Sequence, residues 1–253
     1  MTALAVLLGH EIGYSASPAM HNSAFAALDL DARYELRDVA AEDLAAEVEA
    51  LRASDRIGAN VTRPHKVTVC SLVDELGPEV RRLGAANTIV RYGDRLVARN
   101  TDLAALRAEL PPAIKRAVVL GSGGASRAAV DALKSAGCDA VLVLDRVRWA
   151  NMPGALVTAQ LLVNATPIGT DSDETPVPAN LLRAEMAVLD LVYRPSPSRL
   201  IRDARAAGAR ARGGAGMLLR QAALSFTLWT DREAPVDVMR DALRGELGDG
   251  ADA

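Results

Sequence analysis

The four-residue apolar run Ala117-Val-Val-Leu120 opens directly into Gly121-Ser-Gly-Gly-Ala-Ser-Arg127, and this junction constrains the fold more than any other stretch. A glycine cluster after a short buried strand makes a tight turn, and the residues after it predict a helix to about Ala136. A second strand, Ala140–Leu144, ends at Asp145, which lies 22 positions after Gly123. Strand, glycine turn, helix, strand and terminal acid together form the dinucleotide-binding fingerprint. The glycines let the backbone approach a pyrophosphate, helix amides meet its charge, and the acid takes ribose hydroxyls. An ordinary tight turn between strand and helix is the plainer alternative.

The first hundred residues repeat the same rhythm without the glycines. Residues 3–8 predict a buried strand, Pro18 opens a helix to about Leu28, and 32–39 alternate as a second strand. A helix over Glu42–Ala53 and a strand over Ile57–Val61 follow. Short loops in a βαβαβ series predict a mostly parallel sheet. Tyr92-Gly-Asp94 between two β-prone runs signals a hairpin, and Thr101 is placed to cap a helix over Leu103–Leu110. Pro111-Pro112 is the best linker candidate. Beyond Asp145 the pattern thins to strands at 161–164, 187–190 and 209–212, a helix over Ser198–Ala207, and closing helices over Met217–Thr230 and Pro235–Leu247.

Half of the 253 residues are hydrophobic, enough for two aliphatic cores, and the net charge of −3 argues against nucleic acid or an anionic membrane as partner. Cys70 and Cys138 both lie in apolar segments and read as small core residues. His10, His21 and His65 are too dispersed for a metal site, so none is expected. No apolar run approaches the ~20 residues of a membrane span, and no signal segment opens the chain, so a cytoplasmic location is expected.

Within Gly58-Ala-Asn-Val-Thr-Arg-Pro-His-Lys66, polar Asn60, Thr62 and Lys66 stand where a strand hands over to what Pro64 predicts to be a helix. The following apolar residues end at a Gly77-Pro78 stop. Only three lysines occur, Lys66, Lys115 and Lys134, in a chain otherwise supplied with arginine. Arginine keeps its proton in a protein, whereas a partly desolvated lysine serves as acid or base near neutral pH. Lys66 is thus a candidate for chemistry, against the plainer reading of a surface lysine.

Several further stretches join these: Tyr14-Ser-Ala-Ser-Pro18 with His21-Asn22, Gly84-Ala-Ala-Asn-Thr88, Asn100-Thr-Asp102, Asn164-Ala-Thr-Pro167, Asp190-Leu-Val-Tyr193 and Gly216-Met-Leu-Leu-Arg-Gln221. With them, the chain resembles the shikimate dehydrogenase family, including its quinate and aminoshikimate relatives, along nearly its whole length. The resemblance implies an α/β fold with a mostly parallel substrate domain (1–103 and 215–253) and a shortened Rossmann-type domain (104–214). The active site would lie in the cleft between them. By that resemblance Lys66 and Asp102 are the catalytic pair, and Ser15, Ser17, Thr62, Asn87, Tyr193 and Gln221 hold a hydroxylated ring carboxylate. Gly121, Ser122, Gly123, Gly124, Ala125 and Arg127 would hold the dinucleotide, with Asp145, Arg146 and Thr166 beside it and Gly214 near the nicotinamide. Hydroxyl and amide side chains suit such a substrate, since a polar site left unpaired rejects the wrong ligand. The plainer roles are capping for Ser15 and Ser17, and a negative charge at a helix N-terminus for Asp102.

The chain also departs from the family pattern. Tyr14 stands where histidine is usual, Arg63 where an aliphatic residue is usual, and Leu103 where glycine is common. Asp145 and Asn164 are only 19 positions apart, which predicts the loss of about one αβ unit on the adenosine side. Asp145-Arg-Val147 replaces the Asn-Arg-Thr usual in NADP-preferring relatives. A carboxylate accepts from ribose hydroxyls and repels a 2′-phosphate, so NAD is expected over NADP, with Arg146 and Arg148 leaving NADP possible. Three functions follow: a dehydrogenase on shikimate or an analogue, a redox-silent ligand-binding or regulatory relative, and a dehydrogenase of related plan acting on a folate. A monomer or homodimer is expected.

Overall fold

Leu4, Val6 and Leu8 join one apolar cluster while Ala5 and Leu7 are buried on the opposite side, the alternation expected of a strand covered on both faces. This strand, β1 (Ala3–Gly9), begins the chain in the computed structural model, which describes residues 2–248. There follow α1 (Ser17–Ala27), β2 (Ala32–Asp38), α2 (Leu44–Ala50), β3 (Arg56–Val61), β4 (Glu75–Leu76), α3 (Pro78–Leu83), β5 (Thr88–Tyr92), β6 (Arg95–Arg99) and α4 (Thr101–Glu109). The six strands form one sheet in the order β2-β1-β3-β5-β6-β4, and only β5 runs against the rest. The mostly parallel sheet is as expected, and β5 and β6 are the anticipated hairpin.

The second series is β7 (Arg116–Leu120), α5 (Gly124–Ser135), β8 (Ala140–Leu144), α6 (Met152–Val157), β9 (Leu161–Asn164), β10 (Ala187–Asp190), α7 (Arg199–Ala206) and β11 (Arg210–Arg212). These strands make a wholly parallel sheet, β11-β10-β9-β7-β8. Its core gathers Val118, Leu120, Leu162 and Val188 under Leu156 of α6 and Leu200 and Ile201 of α7. Two helices close the chain, α8 (Ala215–Thr230) and α9 (Val236–Leu247). The chain divides into two compact units. One comprises Met1–Asp102 with Leu219–Glu246, and Leu103–Leu218 makes up most of the other, so the divisions fall inside α4 and α8.

Four local expectations are corrected. Pro64 does not open a helix: residues 63–67 form turns, followed only by a 3-10 turn at Thr68–Ser71. The Lys66 carbonyl, which a helix would use, instead accepts from Ala86 N at 2.8 Å. Pro78 is a start, not a stop. It occupies the first turn of α3, with Glu79 following, Arg81 and Arg82 in the last turn and Gly84 in the left-handed conformation as cap. The second helix is shorter than Glu42–Ala53, spanning Leu44–Ala50. Thr101 lies within α4, its N–H accepted by Asn87 Oδ1 at 2.7 Å. Among the described residues no helix is long and apolar enough to cross a membrane.

Candidate active site

In the first unit the polar candidates collect at one edge of the six-stranded sheet because of strand direction. The carboxyl ends of parallel β1 and β3 lie side by side, Thr62 N donating to Leu8 O and His10 N to Arg63 O. The loop after β1 therefore brings Tyr14, Ser15 and Ser17 to the edge where the loop after β3 brings Thr62, Arg63 and Lys66. β5 runs the other way, so its beginning, after Asn87, reaches the same edge, as does the end of β6, where Thr88 pairs with Arg99. Asn100, Thr101 and Asp102 follow at once.

Lys66 Nζ donates to Asp102 Oδ2 at 2.6 Å, the lysine side chain being 18% exposed and the aspartate 5%. Asn87 Nδ2 donates to the other carboxylate oxygen at 2.8 Å and to Thr101 Oγ1 at 2.8 Å, with Gln221 Oε1 at 3.5 Å. Both Asp102 oxygens thus accept from a named donor, which fixes the carboxylate against the ammonium. Beneath this pair a layer joins Asn60 and Thr88, both within stretches the sequence marked, to Tyr34 and Ser225, which it did not. Asn60 Nδ2 donates to Ser225 Oγ at 2.9 Å, to Thr88 Oγ1 at 3.2 Å and to Asn87 O at 3.2 Å, while Tyr34 Oη donates to Asn60 Oδ1 at 2.9 Å. Ser225 is four residues after Gln221 on α8, so one helix face brings both to the site.

Ser17 is buried, Ser15 and Thr62 half-buried, and Ser17 N donates to Ser15 Oγ at 3.3 Å. The N-cap residue of α1 is Ala16, which offers no side chain, and Ser15 Oγ instead accepts the amide of the helix's first residue, so of the two serines only Ser15 serves the helix start. The two departures in this region meet each other: Arg63 stacks over the Tyr14 ring, 5.8 Å from its centroid, and Arg63 Nη2 donates to the Tyr14 hydroxyl at 3.3 Å. The extra cation therefore has an aromatic seat beside Ser15 and Thr62. His65 turns away, its Nε2 lying 2.8 Å from Val39 O. His21 is wholly buried in an aromatic cluster, stacked on Tyr34 at 4.4 Å and tilted to Trp229 at 5.2 Å, and neither ring nitrogen reaches a hydrogen-bond partner. Burial lowers its pKa to about 3, a weak polar approach from Asn60 opposing this.

The glycine turn of the second unit has the geometry its sequence requires. Gly121 adopts φ +107, and a Cβ there would lie 2.9 Å from Ala165 O, so only glycine fits. Gly123 precedes α5 with no side chain capping the helix, and the space beside it is open. The first turn of this twelve-residue helix therefore carries no side-chain cap from Gly123. Ala165 and Thr166 follow β9 on the other side of β7, so the turn lies where strand order switches between β8 and β9, the usual place for a nucleotide in such sheets. Asp145 is half-buried at the end of β8, and its Oδ1 accepts from Val147 N at 3.1 Å and Arg148 N at 3.0 Å. Arg146 is exposed. β8 is an edge strand, no described residue pairing with its outer side, and the chain returns through α6 directly to β9. Tyr193 belongs to this second unit, unlike the other residues expected to hold substrate, and so does Gly214, the residue expected near the nicotinamide.

Comparisons with known proteins converge on this arrangement. The family model described as the shikimate dehydrogenase substrate binding domain matches residues 7–89, and that of the shikimate 5'-dehydrogenase C-terminal domain matches residues 214–244. A shikimate dehydrogenase (NADP(+)) of Moorella thermoacetica is 41% identical over 278 residues, spanning 98% of this chain and 94% of its own. The shikimate 5-dehydrogenase of Thermus thermophilus, solved in complex with NADP(H) and shikimate, superposes with a TM-score of 0.87 at 37% identity, covering 97% of this chain and 100% of its own. That of Listeria monocytogenes, solved with shikimate and NAD, gives 0.79 at 31%, covering 96% of each. On this full-length similarity, and with the motifs of the substrate edge and the glycine turn in place, the chain belongs to the shikimate dehydrogenase family.

Proposed function

We propose that this chain interconverts shikimate and 3-dehydroshikimate, or the corresponding forms of a close analogue such as quinate or aminoshikimate. The observation that carries this reading is the Lys66–Asp102 pair, 2.6 Å apart and steadied by Asn87 at the polar edge of the first sheet. A nicotinamide dinucleotide, when bound, supplies the hydride acceptor or donor. The protein has to handle the proton. In reduction, Lys66 Nζ–H donates to the carbonyl oxygen as the carbon gains hydride; in oxidation the hydroxyl proton passes to Lys66 Nζ. Asp102 keeps the amine oriented and balances its charge. Ser15, Ser17, Thr62, Asn87, Tyr193 and Gln221 are the proposed contacts to ring hydroxyls and carboxylate.

For the cofactor, the relatives are named for NADP(+), and the Listeria enzyme was solved with NAD. We infer a preference for NAD in this chain. Asp145 retains Oδ2 for a ribose hydroxyl while Oδ1 serves its own loop, and a carboxylate there repels a 2′-phosphate. An absorbance assay at the reduced-nicotinamide band, with shikimate, quinate and aminoshikimate and each cofactor, tests both statements. Turnover of one of the three ring substrates is expected, with the lower KM for NAD. Binding of a ring carboxylate without turnover would favour the redox-silent alternative instead.

A further inference from the structure

β9 and β10 are fully buried strands of apolar residues, yet each ends in a polar one, and the two end residues are paired neighbours, Asn164 and Asp190. Their exposures are 0% and 1%. Asp190 Oδ1 accepts from Asn164 Nδ2 at 2.8 Å and from Val192 N at 3.0 Å, and its Oδ2 accepts from Ser198 Oγ at 2.5 Å. These partners are neutral, so the carboxylate has donors without a compensating cation. Burial pushes its pKa up to about 6. An ionised group held this way weakens the fold more than it supports it, so a purely structural role explains it poorly.

What the carboxylate organises is a set of loops at the carboxyl edge of the second sheet. Through Asn164 it reaches the loop after β9, where Asn164 Oδ1 accepts from Thr166 N at 3.0 Å and Thr166 Oγ1 at 2.6 Å. Through Val192 it fixes the turn after β10, whose Val192 O accepts from Gly214 N at 3.1 Å. Gly214 fits there because it carries no side chain: a Cβ would stand 2.4 Å from Leu191 O. Through Ser198, whose hydroxyl also caps α7 by accepting from Ile201 N, it closes the segment 190–198. Ala165, inside the first of these loops, supplies the carbonyl against which Gly121 is packed. The loops carrying Gly121, Thr166 and Gly214 therefore all trace back to one side chain.

We propose that Asp190 is a positioning residue for the dinucleotide, setting the loops of Thr166, Gly214 and Gly121 without touching the ligand. The inference rests on the reading of this unit as a dinucleotide site. Three donors converge on Asp190, so an acceptor is needed. Asp190→Ala removes the acceptor of all three, leaving Asn164 Nδ2 with only the long contact to Ile168 O at 3.5 Å. Asp190→Asn keeps one oxygen for the two N–H donors, and the Ser198 hydroxyl can turn to accept from the new amide.

The test is calorimetric titration of NAD and NADP into the full-length wild type, Asp190→Ala, Asp190→Asn and Ser198→Ala, with the melting temperature of each apoprotein. Asp190→Ala should weaken the preferred cofactor by about tenfold or more at a temperature where the protein is fully folded, and Asp190→Asn should restore it to within about threefold of wild type. A folded Asp190→Ala protein with wild-type affinity and only a shifted melting temperature overturns the proposal. Should Asp190→Ala not fold, Ser198→Ala decides: weakening by about threefold or more supports the role, and unchanged affinity overturns it. If the wild type binds neither cofactor, the dinucleotide reading itself fails, an outcome separate from any difference among the variants.

Discussion

At the scale of single residues, Lys66 and Asp102 separate a chemical role from a merely ionic one. Lys66→Ala should lower turnover by about two to four orders of magnitude while substrate affinity changes far less. Lys66→Arg is the sharper variant. It keeps the cation beside Asp102 but cannot release a proton, so steady-state kinetics should find it nearly as slow as the alanine variant; near wild-type turnover would exclude proton transfer by Lys66. The pair could be suspected from the sequence because lysine is rare here and Asn100-Thr-Asp102 matches a known pattern. The partnership of Asn60 with Ser225 could not. The two are ordinary polar residues 165 positions apart, and nothing local signals that a strand end and a late helix will bury them against each other.

At the scale of elements, the legible features were those whose signal is local. The glycine turn, the hairpin and the βα alternation formed as the residue pattern predicted, whereas the stretch after Pro64 did not. There a tertiary bond from Ala86 to the Lys66 carbonyl replaced helical pairing. Gly121→Ala tests the turn: its positive φ and the approach of Ala165 O should cost about 1–3 kcal/mol in strain, read as a lower melting temperature and weaker dinucleotide binding.

Two buried groups give opposite pH signatures. His21 stays neutral in the fold to about pH 3 but takes up a proton below 6.5 when unfolded. Stability is therefore lost as pH falls from 6.5 toward 3, in all on the order of 4–5 kcal/mol. Asp190 is the reverse. Its folded pKa of about 6 lies above the ordinary 3.8, so its ionised form weakens the fold at neutral pH, and that loss, about 3 kcal/mol, is relieved as pH falls from 6 to 3.8. Denaturant melts of His21→Phe and Asp190→Asn against the wild type should show the acid-side loss removed in the first and neutral-pH stability raised in the second. Parallel stability curves for wild type and His21→Phe between pH 4 and 7 would contradict the histidine assignment.

At the scale of the whole molecule, the short stretch between Asp145 and Asn164 leaves the parallel sheet at five strands, with β8 as its margin. Asp145→Asn should narrow the preference for NAD by removing the charge that repels a 2′-phosphate, and tighter calorimetric binding of NADP by the wild type would overturn the preference itself. By itself the sequence determined what is carried by spacing and residue type: an α/β chain with two βα series, a glycine turn between a strand and a helix, and a lysine rare among arginines just after a strand end. Only the tertiary structure decided which strand ends share an edge, because strand direction and order are settled by how the sheets pack. It alone brought Asn87 to the Asp102 carboxylate and Gln221 to Asn87, seated Arg63 on Tyr14, and buried Asp190 where Asn164, Val192 and Ser198 donate to it. Those contacts join residues far apart in the chain, and hydrogen bonds made across such separations leave no periodic trace in the residues that make them.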